Sequence, residues 1–433
     1  MNYEKEPHGV YFLIDNKSFY ASVEALKRGL NPLKTILVVM SEAENTNGGL
    51  ILATSPQAKK VYGLKANVSR KRDLPQDKKL IVAPPRMNLY IERNLQINDI
   101  FRQFAAKEDV WPYSIDESII DMTHSWHLFG DSPYEVARLI QKTVRQKLGL
   151  YTTVGIGENP VQAKLALDIY AKHDDDLIGT ISYQDVPQKI WTIDNLTDVW
   201  GIGRHLAKRL HRLGINNMNE LAHANPFYLK KYLGIIGWQV YATAWGIDRS
   251  DLHKKPAIKN KSVGNSQVLP RDYQNEFEIK TVIREIGQQV ASRLRHRKQK
   301  ASRLSLSIGY SFQAQTVSEE HGFQLSRKIT PSDSNEDIVF ELQNMFQQKW
   351  NGLSIRNIGV YTSDLVYDTG QQLNLFDSVA EQTKKYDVDK VVDNIRQKYG
   401  FNFLVYSRSK TSGGTAITHS ELVGGHNGGN AYD

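Results

Sequence analysis

No cysteine occurs in these 433 residues, which excludes disulfides, thiolate metal sites and a cysteine nucleophile and fits a reducing cytoplasm. Long apolar runs are missing as well: none approaches the roughly eighteen residues that a membrane span needs. The opening Met1-Asn2-Tyr3-Glu4-Lys5-Glu6 lacks the basic-then-apolar order of a signal peptide. A soluble cytoplasmic protein with no membrane partner is expected. An acidic surplus is also lacking, since 55 Lys and Arg stand against 47 Asp and Glu, a formal +8 with a pI near 9.2. That balance favours a polyanionic partner, although solvated lysines alone produce the same number. A chain this long exceeds one core, and roughly two to four domains are expected.

What the chain does contain is acids where acids are rare. Tyr113-Ser114-Ile115-Asp116-Glu117-Ser118-Ile119 puts two adjacent carboxylates in β-prone sequence, and Asp15 ends the apolar run Val10-Tyr11-Phe12-Leu13-Ile14. Acids inside such runs need a cation to neutralise them. Side chains alternate along a regular strand, so Asp116 and Glu117 can converge on a pair of ions only at a strand-to-strand turn. The pattern points to a hard-metal site; capped or salt-bridged surface carboxylates are the alternative.

Up to about residue 180, short β-branched or aromatic runs alternate with longer amphipathic stretches, as in an α/β or α+β domain. The strands read as Val10–Ile14, Ile36–Met40, Leu50–Thr54, Ile119–Met122 and Thr153–Ile156. A helix is expected over Pro133–Leu148, with Ser132 as N-cap and Gly149 past its end, and another over Pro160–Lys172. From Trp191 to Asp248 small helices take over, including Leu206–Leu213, joined by glycine hairpins at Val199-Trp200-Gly201-Ile202-Gly203-Arg204 and Leu233-Gly234-Ile235-Ile236-Gly237-Trp238. Glycines at a helix start let the backbone approach a phosphate. The pattern is that of a helix-hairpin-helix pair, a backbone binder of duplexes without sequence preference, or of two ordinary interhelical turns.

After the polar linker Leu252-His253-Lys254-Lys255-Pro256 comes a module reading Ser262–Val268, Glu276–Arg297, Arg303–Tyr310, Gly322–Ile329, Asn335–Trp350 and Ile355–Thr362. That order, strand, helix, strand, strand, helix, strand, fits one small sheet with two helices on one face. The run Arg293, Arg295, Arg297, Lys298, Lys300 and Arg303 holds no acid, so it should follow a phosphate backbone, or else form a solvated helix end. Beyond it lie the apolar pentapeptide Gln372-Leu373-Asn374-Leu375-Phe376, a short helix around Asp387–Tyr399, and a Gly, Ser and Asn-rich end from Thr411 that should be mobile.

These segments, taken together over about residues 8 to 376, resemble a Y-family translesion DNA polymerase, closer to the UmuC-like branch (bacterial ImpB/MucB/SamB type) than to the DinB branch. The first motif is Asp15-Asn16-Lys17-Ser18-Phe19-Tyr20-Ala21-Ser22-Val23-Glu24, the second Ser114-Ile115-Asp116-Glu117-Ser118. The resemblance implies an α+β right-hand fold. Its parts would be a palm over 1–18 and 85–180, fingers over 19–84, a helix-hairpin-helix thumb over 181–253, a linker over 254–261, and a four-stranded β-α-β-β-α-β little finger over 262–366. A tail over 367–433 would carry a clamp-binding peptide at 372–376.

The same resemblance implies that Asp15, Asp116 and Glu117 are catalytic and hold two Mg²⁺ ions with the carbonyl of Asn16, ligands that suit a hard cation in nucleotidyl transfer. Tyr20 would exclude a 2′-hydroxyl, with Phe19 behind it, although Phe19 is equally a core residue. Ser55, Lys59 and Lys164 would meet the triphosphate. Pro56 and Lys59 stand where DinB-type relatives usually have tyrosine and arginine, and a lysine is a point charge where arginine is a fork. Ala171-Lys172-His173-Asp174 departs from the common lysine-proline, and Lys17 replaces a usual Asp or Asn. Gly201, Gly203, Arg204, Gly234 and Gly237, with the basic run, would hold DNA, and Gln372, Leu373, Leu375 and Phe376 a bacterial sliding clamp. Partners would be primer-template DNA, dNTPs, the clamp and, from the UmuC-like placement, an accessory subunit. The implied activity is low-fidelity DNA synthesis past lesions in a DNA damage (SOS) response. A non-catalytic DNA-binding or clamp-docking protein with the polymerase fold, a palm-fold cyclase and a metal-dependent nuclease are the competing readings. Retention of all three acids disfavours the first, and the hairpins and basic module disfavour the second. A requirement for a primer and four nucleotides would separate the third.

Overall fold

The computed structural model describes residues 1–41, 49–254, 261–368, 378–423 and 426–427. Strand β1 (Tyr11–Asn16) is the middle of the first sheet, and Phe12, Leu13 and Ile14 are buried on both of its faces, which explains its unbroken apolar run. It extends through Asp15 and Asn16, two residues beyond the expected end. Ser18 then takes a left-handed φ of 50° and turns the chain into α1 (Phe19–Lys27).

Strands β2 (Leu37–Met40) and β3 (Ile51–Thr54), helix α2 (Pro56–Tyr62) and strand β4 (Ile81–Ala83) form a small sheet of order β3-β2-β4. Its residues Leu37, Val39, Ala53 and Ala83 share one apolar core with Phe12 and Ile14 of β1. Helix α3 (Met87–Phe101) was not legible in the sequence. Its buried stripe contains Asn94 and Asn98 while Ile91 and Leu95 are exposed, so apolar periodicity is blurred.

Strands β5 (Val110–Pro112) and β6 (Glu117–Asp121) form a hairpin; α4 (Pro133–Leu148), β7 (Thr152–Gly157), α5 (Pro160–Leu165) and β8 (Ile178–Ile181) complete the layer. The sheet order is β5-β6-β1-β7-β8, antiparallel except for β7 with β8. Helix α4 has the anticipated ends: Ser132 Oγ accepts from Glu135 N and Gly149 takes a φ of 72°. The helix expected over Pro160–Lys172 is three pieces, α5, a π turn over Ala166–Tyr170 and a 3₁₀ turn over Ala171–His173. Its backbone lies against β7, where a Cβ on Gly155 would stand 2.0 Å from the Ala163 carbonyl oxygen. No residue but glycine permits that approach.

Helices α6 (Arg204–Arg212), α7 (Met218–His223), α8 (Pro226–Leu233) and α9 (Ile235–Ala244) follow around their own core of Leu210, Leu221, Leu229 and Val240. The next module has β9 (Val263–Tyr273), α10 (Glu276–His296), β10 (Gln299–Tyr310), α11 (Phe312–Ser318), β11 (Gly322–Ser332), α12 (Asn335–Lys349) and β12 (Ile355–Tyr367). Its antiparallel order β11-β10-β12-β9 buries one face against α10 and α12, as expected. The other face is open and carries Ser266, Ser305, Ser307, Ser326 and Ser363. Tyr361 lies across it over Gly264 and Gly359, where a Cβ would come within 2.4 and 2.8 Å of its ring.

The tail departs from expectation. Helix α13 (Val379–Tyr399) is longer than the Asp387–Tyr399 segment read from sequence, and α14 (Ala416–Ser420) lies where a mobile end was foreseen. Residues 411–423 are docked: buried Glu285 of α10 accepts from Thr415 N, Thr415 Oγ1 and Ala416 N at 2.9–3.1 Å. Gly413 lies so close to Glu278 that a Cβ would stand 2.5 Å away. Gly413 and Gly414, read as looseness, serve close packing, and Gly424, Gly425, Gly428 and Gly429 lie outside the described residues. Gln372, Leu373, Leu375 and Phe376 lie outside the described residues.

Candidate active site and nucleic-acid surfaces

Register brings the acids together. In the antiparallel pairing of β1 with β6, Asp15 stands opposite Glu117, so the two side chains share a face. Like charges placed opposite each other are unfavourable without a counter-ion. Asp116 is the last residue of the β5–β6 turn, and its carbonyl accepts from both Asn16 N and Asn16 Nδ2 at 2.9 Å. The acids thus converge at a strand-to-strand turn, the one arrangement that allows it. Ser114 closes that turn through Glu117 N, and its Oγ donates to Asp116 Oδ1 at 2.7 Å. Below it, Asn94 Nδ2 donates to the Ile115 carbonyl at 2.8 Å and Ser118 Oγ to Asn98 Oδ1 at 2.9 Å. These α3 asparagines, invisible to the sequence reading, pin the turn.

A chain of alternating charge covers the acids. Lys164, 6 % exposed, reaches Glu117 Oε1 at 2.7 Å and Asp168 at 3.2 Å, while Lys172 reaches Asp168 at 2.7 Å and Asp15 at 3.6 Å. Asp168, in the π turn, ties the two lysines and was missed in the sequence; only the folding of residues 166–170 aims it inward. Burial pushes the Asp15 carboxyl up to about 6, opposed by Lys172 and reinforced by Asp116 and Glu117. Burial acts to lower Lys172, but the Asp168 bond and Asp15 outweigh it and raise its pKa.

The donors are those a hard cation takes, oxygen atoms on a crowded, partly desolvated face. Their posture is another matter: among the described residues no three acidic or histidine side chains are grouped to hold an ion as they stand. Glu117 is turned to Lys164 and Asp116 to Ser114, so side-chain rotation is needed. The residues fit the ion in chemistry and position.

Tyr20 sits beside the acids, its pKa raised by burial and then by Asp116. Its ring stacks on Tyr90 at 4.3 Å with planes 14° apart, while Phe19 is 3 % exposed and belongs to the core. Tyr90 is the residue beneath Tyr20, and Phe19 only flanks it, with ring centroids 5.8 Å apart. Tyr90 Oη donates to fully buried Glu24, which also accepts from Arg86 Nε and Nη2 at 2.8–2.9 Å and pairs with Arg28. Burial acts to raise the Glu24 carboxyl, yet Arg86, Arg28 and Tyr90 together hold it below its ordinary value.

Ser55 is not placed to meet a triphosphate. It is 1 % exposed, donates to the Thr35 carbonyl, and accepts from Leu37 N and Ala58 N as the N-cap of α2. Lys59 is exposed on α2, and its charge joins burial in lowering the pKa of Lys17, against the pull of Asp15. Lys17 therefore feels the acid cluster, and Lys59 stands near Lys17.

The DNA candidates divide. Gly201, with φ of 88°, and Gly203 are exposed with open space above them, and Arg204 starts α6 beside them; Gly234, with φ of 69°, is likewise open. Gly237 is a correction: it is buried inside α9, where a Cβ would stand 2.3 Å from the Leu229 carbonyl oxygen, so it serves helix packing. In the basic run, Arg295 is a second correction, its side chain 5 % exposed and paired with Asp389 and Asp393 of α13. Lys300 is a third, buried against Asp368 at 2.8 Å. Acids distant in sequence neutralise these two. Arg303 lies on the open sheet face, paired with Asp364, and Arg293, Arg297 and Lys298 are exposed at the end of α10. No helix among the described residues is long and apolar enough to cross a membrane.

Residues 14–168 match the impB/mucB/samB family, residues 260–375 that family's C-terminal domain, and residues 183–215 the IMS family HHH motif. The chain is 36% identical to the putative UV-damage repair protein UvrX of Bacillus subtilis, over 98% of this chain and 99% of that one. It is 34% identical to DNA polymerase IV 2 of the same organism, over 96% and 98%, and 31% identical to DNA polymerase IV of Moorella thermoacetica, over 93% and 96%. Among solved structures, a Y-family DNA polymerase chimera, Dbh-Dpo4(243-245)-Dbh, superposes with a TM-score of 0.66 at 20% identity, over 83% of this chain and 99% of that chain.

Proposed function

This chain belongs to the impB/mucB/samB family of Y-family DNA polymerases, and from that premise we propose how its residues carry out template-directed DNA synthesis past lesions. The enzyme is a DNA-directed DNA polymerase of the translesion class. The observation that carries the assignment of residues is the pairing of Asp15 with Glu117, with Asp116 in the adjoining turn, beneath a lysine cover and next to Tyr20.

Divalent metal is the rule in this family, and here Asp15, Asp116, Glu117 and the Asn16 carbonyl would hold two Mg²⁺. Those ions supply acidification of the primer 3′-hydroxyl and neutralisation of the triphosphate. Lys164 and Lys59, with Lys17 and Lys172 near them, bind phosphate oxygens of the incoming nucleotide. Lys164 does so once Glu117 releases it, so the residue that neutralises the acid also serves the substrate. Tyr20, held flat by Tyr90, occupies the space of a 2′-hydroxyl and selects deoxyribonucleotides by exclusion. The amides at Gly201, Gly203 and Arg204, and those at Gly234, cradle duplex phosphates without reading sequence. The open sheet face, with Arg303, Lys328 and small serines, lies along the duplex.

Residues 372–376 tether the enzyme to a sliding clamp, raising the effective concentration of primer ends. Action in the cytoplasm, in the SOS response and with an accessory subunit completes the reading. Purified protein with Mg²⁺, a primed template and four deoxynucleotides should extend the primer, and Asp116→Ala should abolish extension while retaining duplex binding. Extension unchanged in Asp116→Ala would sink the site assignment.

A further inference from the structure

The basic run at the end of α10 turns away from the open sheet face and toward the tail. Between α10 and α13 the surface opens into a groove of about 980 Å³ whose walls include Arg297, Lys298, Lys390, Tyr386 and Phe401. Two carboxylates also reach it, and both are engaged: Asp393 accepts from Arg295 Nε at 2.7 Å and Asp368 pairs with Lys300 at 2.8 Å. Arg297, Lys298 and Lys390 are exposed and, among the described residues, face no carboxylate at ion-pair distance. The groove is left with a net positive wall.

Two further features separate it from an ordinary solvated helix end. Lys298 holds a left-handed φ of 52° in the turn between α10 and β10. That conformation costs an L-residue about 1 kcal/mol and glycine nothing, so a lysine there keeps its side chain at the expense of strain. The cations are also interleaved with rings, Lys390 Nζ lying 4.2 Å from the Tyr386 ring centre and Arg396 4.4 Å from that of Phe401. Spaced cations for phosphates beside aromatic faces for bases are what an unpaired nucleic-acid strand requires. An acidic peptide would use the charges and leave the rings idle.

We infer that the groove between α10 and the tail helix α13 binds a single-stranded polynucleotide, apart from the duplex surface on the open sheet. The inference goes beyond the active-site reading and does not depend on it. Fluorescence anisotropy of an oligothymidylate and of a blunt duplex, each over a range of salt, would test it in the full chain. The triple variant Arg297→Glu, Lys298→Glu, Lys390→Glu should weaken oligothymidylate binding by about tenfold or more and lower the slope of log K against log salt by about 2. Its duplex affinity, which rests chiefly on the hairpin amides and on Arg303 and Lys328 of the open face, should fall at least about fivefold less than its oligothymidylate affinity. Lys298→Gly relieves the strained turn, so it should melt no lower than wild type while losing about 0.7 of the single-strand slope. Equal loss for both substrates, no loss for either, or displacement of the oligothymidylate by polyglutamate at equal charge would each overturn the proposal. Should the triple variant fail to fold, Lys298→Gly beside Arg297→Ala decides the matter on the same readout.

Discussion

In the function proposed above Tyr20 selects by the position of one ring, and the ring stacked on it is that of Tyr90 rather than of its sequence neighbour Phe19. Tyr20→Ala should therefore admit ribonucleotides, lowering the deoxy-over-ribo preference in kcat/KM by at least tenfold, about 1.4 kcal/mol. Tyr90→Ala should give part of the same effect with Tyr20 intact, which single-nucleotide insertion kinetics would show. Asp15 offers a second test. Its folded pKa of about 6 lies above the ordinary value, so the native state binds the proton more tightly than the unfolded chain. The stability from this group is full below about pH 4 and is lost as pH rises through about 6. Without metal, Asp15→Asn should match wild type near pH 4 and be more stable by about 1–3 kcal/mol at pH 7, with Mg²⁺ narrowing the gap by stabilising wild type alone. Thermal melts at the two pH values, with and without Mg²⁺, check the sign.

Short elements hold the site by packing and buried polar bonds. Asn98, 1 % exposed, bonds the strand that carries Glu117 through Ser118. Asn98→Ala should cost about 1–3 kcal/mol, because Ser118 is left buried without its partner. The π turn over Ala166–Tyr170 aims Asp168 at both Lys164 and Lys172, a use of a single extra-wide turn that recurs at functional sites. Asp168→Asn keeps the shape and removes the charge. Freed of that charge, the lysines should bind the triphosphate with altered strength, so KM for the nucleotide should change by about threefold or more while kcat moves less. Equal changes in kcat with KM fixed would place Asp168 elsewhere in the cycle.

At the scale of the molecule, the last segment is a part of the third module rather than an appendage. Glu285 and Arg295 of α10 are each buried with their partners on the tail. Removing residues 378–433 should strip Glu285 of its three hydrogen bonds and Arg295 of its two carboxylates and lower stability by about 3–5 kcal/mol. Limited proteolysis of the intact chain should spare 400–423, and calorimetry of the truncated form should show the loss. The helical module and the sheet module that follows it were the most legible, because each repeats a local rule: alternating strands with amphipathic helices in 263–367, and glycine before a helix start at 201–204. Helix α3 was not legible because its inward stripe mixes asparagine with isoleucine.

The sequence by itself pointed to the acids as a hard-metal site, since residue types and strand propensity are local properties, and its resemblance to the family implied the aromatic and the lysines proposed for nucleotidyl transfer. It also determined the order of the modules. Only the tertiary structure decided which residues remain available for that chemistry. Ser55 is consumed as a helix cap, Gly237 as a packing contact, and Arg295 and Lys300 as buried ion pairs. Burial and pairing depend on what the chain brings back from far away, Asp389 and Asp393 to Arg295 or Tyr90 to Tyr20, and no window of sequence contains both partners.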